Sequence, residues 1–278
     1  MVYSGELIRW NTPIRLPIVM YHSISAEPAR YVLSAGVFRR QLAVLRERHR
    51  IIRLSDLPRL LSEGACLDGC AVLTFDDAFA DFATNAHPAL EAHGMPTTVF
   101  VPTGLVGQMN TWDAGIRATL RPIMDRAAIV EVYRSGLVDF GSHTVDHVRM
   151  TAVTEREMRM QAAASKEYLE DLLSAAVTSF AYPYGQLDDF SSSTTETIRR
   201  LGYEVGVTTH WGTRQKPGTI LSLRRIHFRE TDSDDIVRAK LAGRYDWIAA
   251  KEKTAYYLRR ARRLLHRTPG VSGRDGTA

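Results

Sequence analysis

The 278-residue chain is poor in cysteine and has no long apolar run. Two cysteines, Cys66 and Cys70, cannot build a disulfide framework, and without further ligands their spacing is not a zinc pattern. Cys70 is expected to pack inside a strand. With 19 Gly and 11 Pro, collagen-like and low-complexity chains are excluded. No stretch approaches the ~20 apolar residues of a membrane-spanning helix. Near the N-terminus Glu6, Arg9, Asn11 and Arg15 interrupt the ~7–15 apolar residues that a secretory signal requires. The expectation is a cytoplasmic chain with reduced thiols.

An excess of one charge sign is also nearly missing. The 36 Lys and Arg face 31 Asp and Glu, and residues 251–267 alone hold seven Lys/Arg and one acid. The rest of the chain is close to neutral, which argues against nucleic acid as a partner. Within the basic segment Tyr257, Leu258, Ala261, Leu264 and Leu265 share one helical face, with Arg259, Arg260, Arg262, Arg263 and Arg267 around it. Such a helix can rest peripherally on an anionic membrane surface, here the inner face of the membrane, or pack on the protein with a solvated charged face. The organisation expected is an extension over 1–15, a catalytic-size domain over 16–245, and a basic amphipathic helix with a flexible tail over 246–278.

What is present is an alternation of apolar runs and helical periodicities. Strands are expected at Ile18–Tyr21, Cys70–Phe75, Thr97–Val101, Leu137–Gly141, Ser179–Tyr182, Glu204–Thr208 and Leu221–Phe228. Helical spacing follows at Val37–His49, around Phe82 and Leu90, at Thr154–Leu173 behind a Thr154/Glu157 capping box, near Thr195–Leu201, and after Asp232–Asp235. Strands apolar on both faces that alternate with helices form a parallel sheet covered by helices. About seven such units point to an α/β fold, a (β/α) barrel, with a doubly wound open sheet as the alternative.

Polar clusters fall where these runs stop. His22 follows IVMY, Asp76-Asp77 follows AVLTF, His143 and His147 follow VDFGS, and Tyr184-Gly185 follows SFAYP. In barrels the C-terminal strand ends build the active site. Adjacent carboxylates need a cation or a shared proton, although one Asp there also suits a helix N-cap. Imidazoles four apart lie on one helical face and can converge on a metal; with a nearby carboxylate they make a two-His, one-carboxylate set with open positions.

Thr74-Phe75-Asp76-Asp77, His143-x-x-x-His147 and Phe180-Ala181-Tyr182-Pro183-Tyr184-Gly185 together resemble the polysaccharide deacetylases, the carbohydrate esterase family 4 or NodB-homology group, over roughly Leu16 to Leu241. The resemblance implies a distorted (β/α) barrel of about seven parallel strands. It also implies metal-dependent removal of an N-acetyl group from an amino sugar in a polysaccharide, oligosaccharide or lipid-linked glycan. By the same resemblance Asp77, His143 and His147 bind one divalent metal ion, Zn²⁺ first, with Co²⁺, Ni²⁺ or Mn²⁺ as alternatives. Asp76 is then the general base, and the backbone N–H of Tyr184 stabilises the oxyanion.

Two departures from the common layout matter. Met20-Tyr21-His22 resembles the circularly permuted branch that includes exopolysaccharide deacetylases, where an N-terminal His is the acid; this favours His22 over His227. Ala181 and Tyr182 stand where many members carry an Arg that orients the base, so Arg224 or Arg225 is the candidate for that role. His210-Trp211, read as part of a glycine-bearing loop, and Trp112 are candidates for stacking on a sugar ring. A non-sugar acylamine substrate and a catalytically weak glycan-binding role are the competing functions. The oligomeric state is left open.

Overall fold

A computed structural model describes residues 11–27, 31–113 and 120–265. Most of the expected N-terminal extension, His266, Arg267 and the expected tail lie outside the described residues, as do the side chains of Leu264 and Leu265.

Seven parallel strands close on themselves in sequence order. They are β1 (Ile18–Tyr21), β2 (Cys70–Phe75), β3 (Thr97–Val101), β4 (Val138–Ser142), β5 (Ser179–Ala181), β6 (Val205–Trp211) and β7 (Leu223–His227). Each neighbours the next, and β7 pairs with β1 through Ile226 opposite Val19 and His227 opposite Met20. The closed ring settles the choice between barrel and open sheet in favour of the barrel. Short strand pairs outside it, such as 14–15 with 214–215, carry too little apolar pattern to be seen in sequence.

The helices are α1 (Ala35–Arg46), α2 (Leu57–Ser62), α3 (His87–Glu91), α4 (Arg126–Arg134), α5 (Glu155–Leu173), α6 (Ser192–Arg200), α7 (Asp234–Leu241) and α8 (Trp247–Leu265). Side-chain oxygens start several of them: Thr154 accepts from the Glu157 N–H at α5, and Ser191 from the Thr194 N–H at α6. None of the helices among the described residues is long and apolar enough to cross a membrane.

Strand parity divides the core in two. Val19, Tyr21, Leu73, Phe75, Val99, Val138, Phe140 and Ile226 face the helices, in the larger apolar cluster. Ile18, Val72, Phe100, Ala181, Val205, Val207 and Leu223 fill the barrel interior together with Leu16, Leu54 and Leu57. Because side chains alternate with a period of two, the inward set continues upward to His22 on β1, Asp76 after β2, His143 after β4, and Arg225 and His227 on β7. The plug beneath them is tight: a Cβ on Gly141 would meet the Phe100 ring at 2.6 Å. The polar groups therefore sit on a packed apolar floor, at the C-terminal mouth.

Candidate metal and catalytic site

Asp76 is held by β7. Arg225 donates from Nη1 to Oδ1 and from Nη2 to Oδ2 of Asp76, both at 2.6 Å, and the two side chains are almost wholly buried. The guanidinium is itself fixed by donation to the Thr208 carbonyl (2.8 Å) and the Thr74 hydroxyl (3.1 Å). Burial pushes the Asp76 carboxyl up, but the charge of Arg225 and its two hydrogen bonds outweigh it, so the net shift is downward. Of the two candidate arginines, Arg225 is the one brought to Asp76; Arg224 has the opposite strand parity and lies against Gly212. Tyr182, at the position where an orienting Arg was missing, is buried and donates its hydroxyl to the Leu221 carbonyl.

Asp77 points away from Arg225 to the two histidines. Its Oδ1 lies 3.5 Å from His143 Nε2 and 3.3 Å from His147 Nε2, separations longer than a good hydrogen bond, and that buried oxygen has no hydrogen-bond partner. His143 Nδ1 sits 2.8 Å from the Ala181 carbonyl, which accepts only from an N–H. The proton is thus on Nδ1, and His143 Nε2 presents a lone pair to Asp77. Three ligand atoms from three buried residues lie within 4.8 Å of one another. A buried carboxylate oxygen left without a hydrogen bond, facing two imidazole nitrogens of which the one on His143 presents a lone pair, calls for a cation, and the donor set fits a divalent ion with open positions.

The histidine spacing works for a different reason from the one expected. Residues 143–147 are not helical; they form the loop after β4, with Thr144 at φ 65° and His147 at φ 53°. Two reversals of the backbone, not a helical turn, bring the imidazoles together. Seven non-glycine residues have positive φ among the described residues, and five of them, Asp77, Ala78, Thr144, His147 and Tyr184, belong to this site. Left-handed backbone at such residues is strained and persists where the surroundings enforce it. The helix-cap reading of the Asp pair also falls away, since the helical segment starts only at Phe82.

His147 lacks the usual support for its second nitrogen. Its buried Nδ1 has no hydrogen-bond partner. Its ring is held by stacking instead: Trp112 lies parallel at 4.1 Å and 19°, and the Tyr184 ring meets its edge at 4.9 Å. Trp112, expected as a sugar-stacking candidate, thus touches the candidate metal ligand. Replacing Trp112 with Ala is expected to weaken metal binding ~10–100-fold, the usual cost of losing a ligand's support, and Trp112→Phe to retain most of it. Competition of the metal-loaded protein against a chromophoric chelator measures this; equal affinity in wild type and Trp112→Ala would contradict the role.

Tyr184 occupies a turn at φ 62° before Gly185 at φ 59°, where a Cβ on Gly185 would meet the Thr209 nitrogen at 2.7 Å. Its carbonyl accepts from the Thr209 hydroxyl (2.6 Å), and the Arg149 guanidinium stacks on its ring at 3.9 Å. Arg149, also paired with Asp189, and Arg259 of α8, paired with Asp188 at 3.3 Å, line a cleft of about 420 Å³ beside this turn.

His22 is half-buried at the end of β1 and stacks on Tyr31 at 4.9 Å and 15°. Its imidazole is shifted down by burial and feels the charges of Asp77, Asp76 and Arg225. His227 meets the edges of Tyr31 and Trp211, and burial and Lys240 lower it to about 4. The strongest charges on His22 are those of Asp77 and Asp76, whereas the strongest on His227 is that of Lys240. His210 and Trp211 are not in a loop: they complete β6 and are buried, and the backbone N–H of Trp211 donates to Glu252 of α8 (3.0 Å). The loop expected here is a strand, paired with β7 as far as Trp211 opposite Arg225, and at 9% and 3% exposure His210 and Trp211 offer little ring surface to a sugar.

Comparison with known proteins agrees with this architecture. A family model described as polysaccharide deacetylase matches residues 65–206. YxkH of Bacillus subtilis (strain 168), a polysaccharide deacetylase by name, is 24% identical over 225 residues, covering 80% of this chain and 75% of its own. A poly-beta-1,6-N-acetyl-D-glucosamine N-deacetylase of Staphylococcus aureus (strain MRSA252) is 24% identical over 180 residues, 62% of this chain; the match spans 60% of that protein. Among solved structures, the Streptococcus pyogenes deacetylase PplD, in complex with acetate, superposes with a TM-score of 0.70 at 26% identity over 83% of this chain and 99% of that one. IcaB from Ammonifex degensii gives 0.71 and 26% over 81% and 96%. The matched segment carries both aspartates, both histidines and the Tyr184 turn on one closed barrel, and the chain belongs to the polysaccharide deacetylase family, hydrolases of carbon–nitrogen bonds other than peptide bonds.

Proposed function

We propose that this chain is a metal-dependent N-deacetylase that hydrolyses the acetamido group of an amino sugar within a glycan. The observation that carries the proposal is the division of labour between adjacent carboxylates: Asp77 faces two imidazoles, while Asp76 is clamped by Arg225. Asp77, His143 and His147 would hold one divalent ion, Zn²⁺ being the first choice for a mixed imidazole and carboxylate set. When bound, such an ion supplies Lewis acidity to the amide carbonyl and the attacking water.

The remaining steps fall to the chain itself. Asp76, ionised and oriented by Arg225, takes the proton of the attacking water. The backbone N–H of Tyr184 stabilises the oxyanion that develops on the substrate. His22 gives a proton to the departing nitrogen, the step that an amide requires because an unprotonated amine is a poor leaving group. His22 is preferred to His227 because the carboxylates of Asp77 and Asp76 act on its ring most strongly among the charges, whereas the ammonium of Lys240 does so on His227. The amino-sugar substrate is supported by the names of the staphylococcal relatives.

Acetate release from oligomers of N-acetylglucosamine by the metal-loaded protein, with an equal yield of free amine, is the expected result. Release from simple acylamines at the same rate would reject the sugar as substrate. No acetate from any acylated sugar would reject the enzyme and favour a glycan-binding role.

A further inference from the structure

Helix α8 has two faces of different use. The inward one carries the contacts that hold the helix to the barrel. Glu252 accepts from the Trp211 N–H at 3.0 Å, Arg259 reaches Asp188 at 3.3 Å, and Ile248 packs against the core. Ala255 and Tyr256 are half-buried on the same side.

The outward face is apolar. Trp247, Tyr257 and Leu258 are 59%, 55% and 59% exposed, and Ala250 and Ala261 are exposed with them. At 3.6 residues per turn, Trp247, Ala250, Thr254, Tyr257, Leu258 and Ala261 fall within roughly 100° of the helix circumference. Lys253 and Arg260 border that stripe on one side and Lys251 on the other, all exposed. For Tyr257, Leu258 and Ala261 this exposure shows that the apolar stripe is not what holds the helix to the barrel.

We propose that this face docks the protein on an anionic lipid bilayer. The occupant follows from charge complementarity. An apolar stripe with aromatic and leucine side chains, flanked on both edges by cations, matches an interface in which acyl chains lie between negative headgroups. A second copy of the chain would bring the same cations into apposition. The helix sits on the rim of the site: Trp211 ends β6, and Asp188 follows β5, at the C-terminal mouth. Docking through α8 therefore sets the mouth beside the headgroups. If the deacetylase reading holds, this placement favours a glycan carried at the membrane surface.

The test is sedimentation of the full chain with phosphatidylcholine vesicles, with and without phosphatidylglycerol. Binding is expected only with the anionic lipid and should fall as salt is raised. Lys253→Glu/Arg260→Glu should bind at least ~25-fold more weakly, at about fivefold for each lost cation. Tyr257→Glu/Leu258→Glu should lose binding, with an unchanged circular dichroism melting curve showing that it still folds. Three results would overturn the proposal: no sedimentation with anionic vesicles, equal binding by both variants, or a dimer in solution that Tyr257→Glu/Leu258→Glu dissolves. None of these readouts uses deacetylation, so the docking surface fails or stands apart from the assigned reaction.

Discussion

Asp76→Asn is expected to lower kcat by ~10²–10⁴-fold, the contribution typical of a positioned general base. The substitution keeps the shape of the side chain and removes the basic oxygen that takes the proton. Metal affinity should change far less, because the proposed ligand set is Asp77, His143 and His147, and Asp76 is paired with Arg225 instead. The two neighbouring carboxylates should therefore separate in the assay. Asp76→Asn should retain the ion and lose turnover, whereas Asp77→Ala should lose both. Equal metal loss in the two variants would show that the pair acts as one ligand unit and would remove Asp76 from the role of base.

The second large effect is on stability. Arg225→Met should destabilise the fold by roughly 3–5 kcal/mol, the cost of removing one partner from a buried ion pair. The cause is the abandoned carboxylate: Asp76 is 2% exposed and takes both of its Arg225 hydrogen bonds at 2.6 Å. Thr208 and Thr74 would lose their donor as well. The double variant Asp76→Asn/Arg225→Met should cost less than the two single changes added together, since neither charge is then left buried alone. Denaturant unfolding of the four proteins checks this. A cycle that adds without coupling would mean that the pair is not the unit described here. On the proposed mechanism Arg225 positions the base, so Arg225→Lys, which keeps the charge and loses the fork, should lower kcat more than it raises KM.

Much of the barrel could be read in advance because its strands are buried on both faces. Cys70–Phe75 and Thr97–Val101 are continuous apolar runs whose ends coincide with the observed strands. Polar residues that end such runs are conspicuous for the same reason, and His22, Asp76, Asp77, His143 and Tyr184 all fall there. Strand parity would also have separated Arg225 from Arg224, given that Leu223 is an interior residue.

Other features depended on contacts that no local pattern encodes. The i, i+4 spacing of His143 and His147 resembles a helix, yet the loop reaches convergence through positive φ at Thr144 and His147. Trp112 has no periodicity around it, and its partner is 35 residues away in sequence. Gly212 suggested a loop around His210-Trp211, whereas pairing with β7 extends the strand to Trp211. For α8, the charge pattern revealed amphipathicity, but only the Glu252 and Arg259 contacts show which face is turned to the barrel.

One metal ion per chain and amide hydrolysis should rise and fall together. Protein purified under native conditions should carry up to one divalent ion per chain, and acetate release from N-acetylglucosamine oligomers should rise in proportion to occupancy. Stripping the ion with a chelator should abolish release, and re-addition should restore it in wild type but not in Asp77→Ala, a loss of several kcal/mol of transition-state stabilisation or more than ~10³-fold in rate. Acetate release that is independent of occupancy, or full activity in Asp77→Ala, would contradict the assignment of Asp77, His143 and His147 as the centre of the reaction.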